Sequence, residues 1–206
     1  MDFRPLSRTA KGTAAGKISE KWIGLFFSAL CCLVLPTAFC AAQGTGLDLE
    51  GRSVNPLRSN AGQIVVLIFV REDCPVSGRY APTIQNIRDQ HKEARFYLVF
   101  PDKDETPANI RKYLRDFGYS IPALRDPRHA LVNQAHAQIT PEAAVFDARG
   151  DLVYHGRIDN LYETFGRARP APTTHELEDA IQAIRTGHSP ATKEVAAIGC
   201  YISDLR

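Results

Sequence analysis

The sequence predicts an α/β protein built on a mixed β-sheet with helices on both faces. Three observations lead there. Residues 64–70 (Ile-Val-Val-Leu-Ile-Phe-Val) are an unbroken apolar, largely β-branched run, the pattern of a strand buried on both faces. Residues 94–100 repeat that character after a helical stretch, giving a β-α-β unit of parallel strands. Residues 143–146 and 152–158 then flank Asp147-Ala148-Arg149-Gly150-Asp151, a hairpin signal, and an amphipathic helix closes the order. A parallel half, an antiparallel hairpin and a final helix make a sheet covered on both sides.

Taken in order, residues 1–42 read as an export signal or membrane anchor. A basic region ends at Lys21, residues 22–35 are a largely apolar run of 14, and Pro36 with small residues leads to Ala42. Cleavage after Ala42 leaves Gln43 first. Residues 22–42 are also long enough to span a bilayer if uncleaved. Either outcome puts the domain outside the cytoplasm, in a periplasmic or other extracytoplasmic space. Of 25 basic and 23 acidic residues, five and two fall in this segment, leaving 20 against 21. With no basic cluster interleaved with aromatics, nucleic acid is not an expected partner.

Three of the five cysteines (Cys31, Cys32 and Cys40) leave with the signal, so the mature chain keeps Cys74 and Cys200. Two cysteines in an oxidising compartment invite one disulfide, structural or cycling.

Residues 46–57 read as a small hairpin lead-in, and Ser59-Asn60-Ala61-Gly62 turns the chain into the first long strand. Past Cys74, a helix is expected over residues 76–91, kinked by Pro82, which lacks the N–H to continue it. Thr106-Pro107 supplies an N-cap and a proline at the first helical position. Ile110, Tyr113, Leu114 and Phe117 form that helix's stripe, and Gly118 stops it. Residues 121–124 suit a short strand and 127–137 a brief helix. Residues 163–172, rich in Arg, Gly and Pro, read as a loop. Thr173 and Glu176 have capping-box spacing, and Leu177, Ala180, Ile181 and Ile184 form the stripe of the last helix. This divides the chain into an N-terminal segment (1–42), a domain (43–186) and a tail (187–206) carrying Cys200.

Cys74 sits between a central strand and a helix start, where unpaired N–H groups and the positive helix end favour the thiolate. Arg71 and Arg79 add positive charge, and Asp73 opposes them. The six histidines are scattered without metal-type spacing, and there is no glycine-rich phosphate loop. Neither a cofactor nor a metal is expected. His155 reads as a packing or edge residue; Arg157 and Asp159 read as an ion pair or loop anchors.

The order of elements, with a cysteine after the first long strand, resembles the thioredoxin fold. Cys74-Pro75-Val76-Ser77 stands where that fold carries C-x-x-C, with Ser77 replacing the second cysteine. Pro82 matches the proline that kinks the active-site helix. Thr140-Pro141 matches the pair whose proline is cis and packs beside the active-site cysteine. The spacing from Cys74 to Pro141 is similar to that of the redoxin branch, which includes peroxiredoxin-like and exported thioredoxin-like proteins. Exported redoxin-domain proteins carry the same Asp-Cys-Pro-x-Ser (73–77), Thr-Pro-Glu-Ala-Ala-Val-Phe-Asp (140–147), Gly-Arg-Ile-Asp (156–159) and Gly-Cys (199–200).

The resemblance implies an exported thiol–disulfide oxidoreductase with Cys74 as nucleophile and Cys200 as candidate resolving thiol. Ser77 would hydrogen-bond the thiolate or cap the helix. The Thr140 backbone would be free to pair with an extended substrate segment. Partners would be protein thiols or disulfides, with a membrane-bound reductant a candidate. Two departures bear on the alternatives. Peroxiredoxins place a threonine three residues before their cysteine, where this chain has Arg71. Copper-delivering relatives need a second cysteine at position 78, which here is Gly78. A thiol peroxidase with antioxidant activity, and a module holding Cu(I) through Cys74, Cys200 and a histidine, are the competing readings. From Thr186 to Cys200 there are 14 steps, about 46 Å fully extended, so the tail can reach Cys74.

Overall fold

The computed structural model describes residues 44–203 and 205. The expected export segment, residues 1–42, lies outside them. Among the described residues no helix is long and apolar enough to cross a membrane.

In chain order the elements are β1 (Gly46–Leu47), β2 (Ser53–Val54), α1 (Pro56–Ser59), β3 (Val65–Phe69), α2 (Pro75–Arg79), α3 (Ala81–Gln90), β4 (Arg95–Phe100), α4 (Pro107–Asp116), β5 (Ala123–Arg125) and α5 (Ala130–Ala135). There follow β6 (Ile139–Thr140), β7 (Glu142–Phe146), β8 (Leu152–Gly156), β9 (Tyr162–Thr164), β10 (Arg167–Ala168), α6 (Glu176–Arg185), β11 (Glu194–Val195) and β12 (Cys200–Tyr201). The main sheet has the order β11-β8-β7-β3-β4-β5-β1-β2. Strands β3, β4 and β5 are parallel, and β7 is antiparallel to β3 with Phe69 facing Glu142.

The unbroken apolar run of β3 has a direct cause. Val66, Ile68 and Val70 pack into one core with Ile84, Ile110 and Ile181, whereas Val65, Leu67 and Phe69 pack into the other with Leu57, Leu131 and Val132. Alternate side chains point to opposite faces, so a strand roofed on both sides is apolar at every position. Truncating a side chain such as Ile68 to Ala would cost about 2–5 kcal/mol.

Several expectations change in detail. The helix after Cys74 is two helices broken at Tyr80, because Pro82 has no N–H for the carbonyl of Gly78. Leu57 belongs to α1 and not to the lead-in hairpin, since Asn55 caps a helical turn by accepting from the Arg58 N–H (2.9 Å). Helix α5 is shorter than residues 127–137. The Asp126 carboxylate accepts the N–H groups of Ala130, Leu131 and Val132 (2.8–2.9 Å), which sets its start, and His136 closes it in a left-handed conformation (φ 56). Residues 163–172 are no simple loop, for β9 and β10 form a small hairpin there. Thr173 is not the cap of α6: its N–H and hydroxyl both bond the Asn160 side chain, and His175 is the N-cap residue. The tail adds β11 to the main sheet, parallel to β8. Gly156 makes that possible, because a Cβ there would fall 2.0 Å from the Val195 carbonyl oxygen.

Candidate active site

Cys74 is carried at the C-terminal end of β3 by the turn over residues 71–73 and is the N-cap residue of α2. Ser77, fully buried one turn later, accepts the Arg71 N–H (3.4 Å) and so ties the turn to the helix. The thiol is 2% exposed. It donates to the carbonyl oxygen of Thr140 at 3.2 Å, and the Thr140-Pro141 bond is cis, as the resemblance implies.

The tail completes the site. β12 pairs antiparallel with β6, Cys200 opposite Thr140 and Tyr201 opposite Ile139. The Ile202 N–H donates to the Gln138 carbonyl (2.9 Å), and the Thr140 hydroxyl donates to the Cys200 carbonyl (3.3 Å). Ile202 is buried in the second core. The sulfurs of Cys74 and Cys200, 126 residues apart in sequence, lie 2.7 Å from each other as free thiols. Gly199 is the residue that lets the tail come so close, because a Cβ there would stand 2.1 Å from the Thr140 carbonyl oxygen. The Thr140 backbone is therefore not free for another segment, contrary to expectation. The chain's own C-terminal strand occupies it.

The two thiols are electrostatically unequal. Burial opposes the Cys74 thiolate, but the Cys200 thiol, the N–H groups of Ser77 and Val76 and the Ser77 hydroxyl outweigh it, holding Cys74 below its ordinary value. Cys200 is pushed up to about 12 by burial, by its hydrogen bond to Cys74 and by the negative charge there. Arg71 reaches from the turn before Cys74 to the tail. Its guanidinium bonds Asp73 (2.8 Å) and the Tyr201 carbonyl (3.3 Å) and lies 3.4 Å from Asp102, so it anchors the tail and pulls Cys200 slightly back. Arg79 is exposed.

The six residues singled out in the sequence (Arg71, Cys74, Ser77, Thr140, Pro141 and Cys200) thus lie together. Arg157 and Asp159 are structural, as read. Arg157 pairs with Glu176 of α6, and the Asp159 carboxylate accepts from Tyr80 Oη (2.6 Å) and the Leu161 N–H (2.8 Å). His155 faces Glu142 at 3.4 Å within β8. Among the described residues no three His, Cys, Asp or Glu side chains gather to hold a metal ion.

One residue escaped the sequence reading. Glu105, 5% exposed, accepts the Glu72 N–H (2.7 Å) through Oε1 and leaves Oε2 buried without a partner. Burial, with the nearby charges of Glu72 and Asp102, raises it to about 8 against the pull of that N–H and of Arg71. Nothing in the run Asp102-Lys103-Asp104-Glu105 distinguishes the one buried acid from its solvated neighbours.

The family described as thioredoxin-like matches residues 62–152, a span that includes Cys74, Ser77, Thr140 and Pro141 but stops short of Cys200. No curated protein matches the chain. Among solved structures, the chain is similar to an uncharacterized conserved protein from Geobacillus kaustophilus, with 21% identity, 77% of this chain and 87% of that one covered, and a TM-score of 0.66. It is similar to a hypothetical protein from Sinorhizobium meliloti 1021 with 22% identity, coverage of 77% and 88%, and a TM-score of 0.62. A secreted Mycobacterium tuberculosis disulfide oxidoreductase is similar at 15% identity, coverage of 70% and 96%, and a TM-score of 0.49.

Proposed function

This chain carries a thioredoxin-like domain, and from that premise we propose that it is an exported thiol–disulfide oxidoreductase working through Cys74 and Cys200. The observation that carries the reading is the contact between the two sulfurs, 2.7 Å apart as free thiols. A disulfide holds its sulfurs at about 2.05 Å, so closing the bond needs only a small movement.

Cys74 attacks first in this scheme. Its thiolate bonds one sulfur of a partner disulfide, and the other partner sulfur leaves as a thiolate. The tail must lift for this, since Cys74 is 2% exposed beneath it. Cys200 then attacks the Cys74 sulfur, releasing the partner's second thiolate and leaving a Cys74–Cys200 disulfide. Two electrons have passed to the partner. The raised value of Cys200 owes part of its size to the Cys74 charge. That part vanishes once Cys74 is bonded to the partner, which frees Cys200 to ionise at the step that needs it. Ser77 and Thr140 hold the Cys74 sulfur in place, and Arg71 keeps the tail docked.

Protein thiols or disulfides are the partners this chemistry serves, with a membrane-bound reductant restoring the thiols. The export pattern of residues 22–42 supports an extracytoplasmic, periplasmic setting. The test is a stopped-flow comparison. The reduced protein should reduce a disulfide-bonded peptide in a Cys74-dependent manner and consume hydrogen peroxide no faster than an ordinary free thiol. Rapid Cys74-dependent peroxide consumption with no disulfide exchange would make it a peroxidase instead.

A further inference from the structure

The cysteine pair is lopsided in access as well as in charge. Cys74 is 2% exposed, and the groups around its sulfur (Thr140, Ser77 and Val76) are themselves buried. Cys200 is partly exposed, next to Tyr201, which is 71% exposed, and in the field of Asp73 and Arg71. Bond formation between sulfurs already 2.7 Å apart moves them by about 0.7 Å. The reduced pair's burial therefore carries over to the oxidised pair.

A thiolate attacks a disulfide along the line of the S–S bond, from behind the sulfur it will join, and the rate depends on access to that sulfur. For Cys74, that approach comes from the side away from Cys200, which is protein interior. Cys200, partly exposed beside the exposed Tyr201, is the sulfur of the two that a reductant can reach.

We propose, on the basis of the thiol–disulfide reading above, that a dithiol reductant reopens the oxidised pair at the sulfur of Cys200, with Cys74 as the leaving group. Cys74 meets the partner disulfide in one half of the cycle, and Cys200 meets the reductant in the other. The two halves involve different partners, so neither is the reverse of the other.

The step balances as follows. One thiolate of the reductant bonds the Cys200 sulfur, the Cys74–Cys200 bond breaks, and its electron pair stays on Cys74 as a thiolate. The N–H groups of Val76 and Ser77 and the Ser77 hydroxyl receive that charge, and a sulfur whose thiolate is stabilised leaves faster. The reductant's second thiolate then attacks its own sulfur in the mixed disulfide. The reductant departs as an internal disulfide, and Cys200 departs as a thiolate that takes up a proton. Two electrons have entered the protein. Arg71 assists at the site of attack, because its positive charge acts on Cys200 and its hydrogen bond to the Tyr201 carbonyl fixes the strand that carries it.

The test uses the unmodified chain, oxidised and mixed with glutathione, a monothiol whose first product is the mixed disulfide on the sulfur it attacks. The reaction is quenched in acid at early times, free thiols are alkylated, and both cysteine peptides are mapped by mass. Glutathione on Cys200 with the alkyl group on Cys74, in about tenfold excess or more over the converse, is expected. Glutathione on Cys74, or equal amounts on both, overturns the inference and leaves the oxidoreductase reading intact. Absence of any Cys74–Cys200 disulfide in the oxidised starting material removes both.

Discussion

Cys200 stands directly opposite Thr140 in a two-strand antiparallel pair, and that pairing brings its sulfur to 2.7 Å from that of Cys74. The same carbonyl of Thr140 that accepts from the Cys74 thiol lies against Gly199. One residue beside the cis proline thus organises both halves of the redox pair. It also explains why the tail carries Gly-Cys and not cysteine alone.

Gly199→Ala tests this arrangement. With its Cβ 2.1 Å from the Thr140 oxygen, alanine forces the strand off β6 and uncovers Cys74. Alkylation of Cys74 in the reduced protein should accelerate about tenfold or more, as expected for a local opening made easier. Unchanged labelling would mean that the close approach does not hold the tail.

Glu105 should leave a mark on the pH dependence of stability. Folded, it keeps its proton up to about 8, whereas the ordinary glutamate value is 4.5. Between those values the folded state binds more protons than the unfolded one, so its contribution is full below about 4.5 and is lost as pH rises through about 8. Burial sets it first, the charges of Glu72 and Asp102 help hold the proton on, and the Glu72 N–H and Arg71 oppose them. Urea unfolding of the Glu105→Gln variant should lack this downward slope and gain about 1–3 kcal/mol on the parent between pH of about 5 and about 8. Parallel stability curves for the two proteins would refute the protonated state.

Tyr80→Phe separates scaffold from chemistry. The lost hydroxyl bonds the buried Asp159 carboxylate at 2.6 Å, and removing it leaves a buried charge with one donor fewer, costing about 1–3 kcal/mol. Unfolding of the reduced protein should show that loss, while the redox potential of the cysteine pair stays unchanged. A shifted potential would tie the 156–159 segment to the reaction.

These results mark what could be read from the chain alone. Strand β3 was plain because burial on both faces demands apolar residues at every position, and Thr106-Pro107 capped α4 as written, with Thr106 Oγ1 accepting the Asn109 N–H (3.2 Å). Cys74, Thr140-Pro141 and Cys200 carried their spacing openly. The pairing of β12 with β6 was hidden, since two-residue strands have no periodicity and their register depends on a contact across 60 positions. Glu105 was hidden for a different reason: burial of one acid among several is decided by tertiary packing. Thr173 shows the reverse error, a capping-box spacing whose threonine is taken by Asn160 instead.

The most direct test of the central claim is a redox titration of the full chain with thiol trapping, read by mass. A single two-electron transition in which Cys74 and Cys200 disappear together, absent from both Cys74→Ser and Cys200→Ser, is the predicted result. Two thiols that label independently at every potential would contradict it, leaving Cys74 a lone thiol beneath a structural strand.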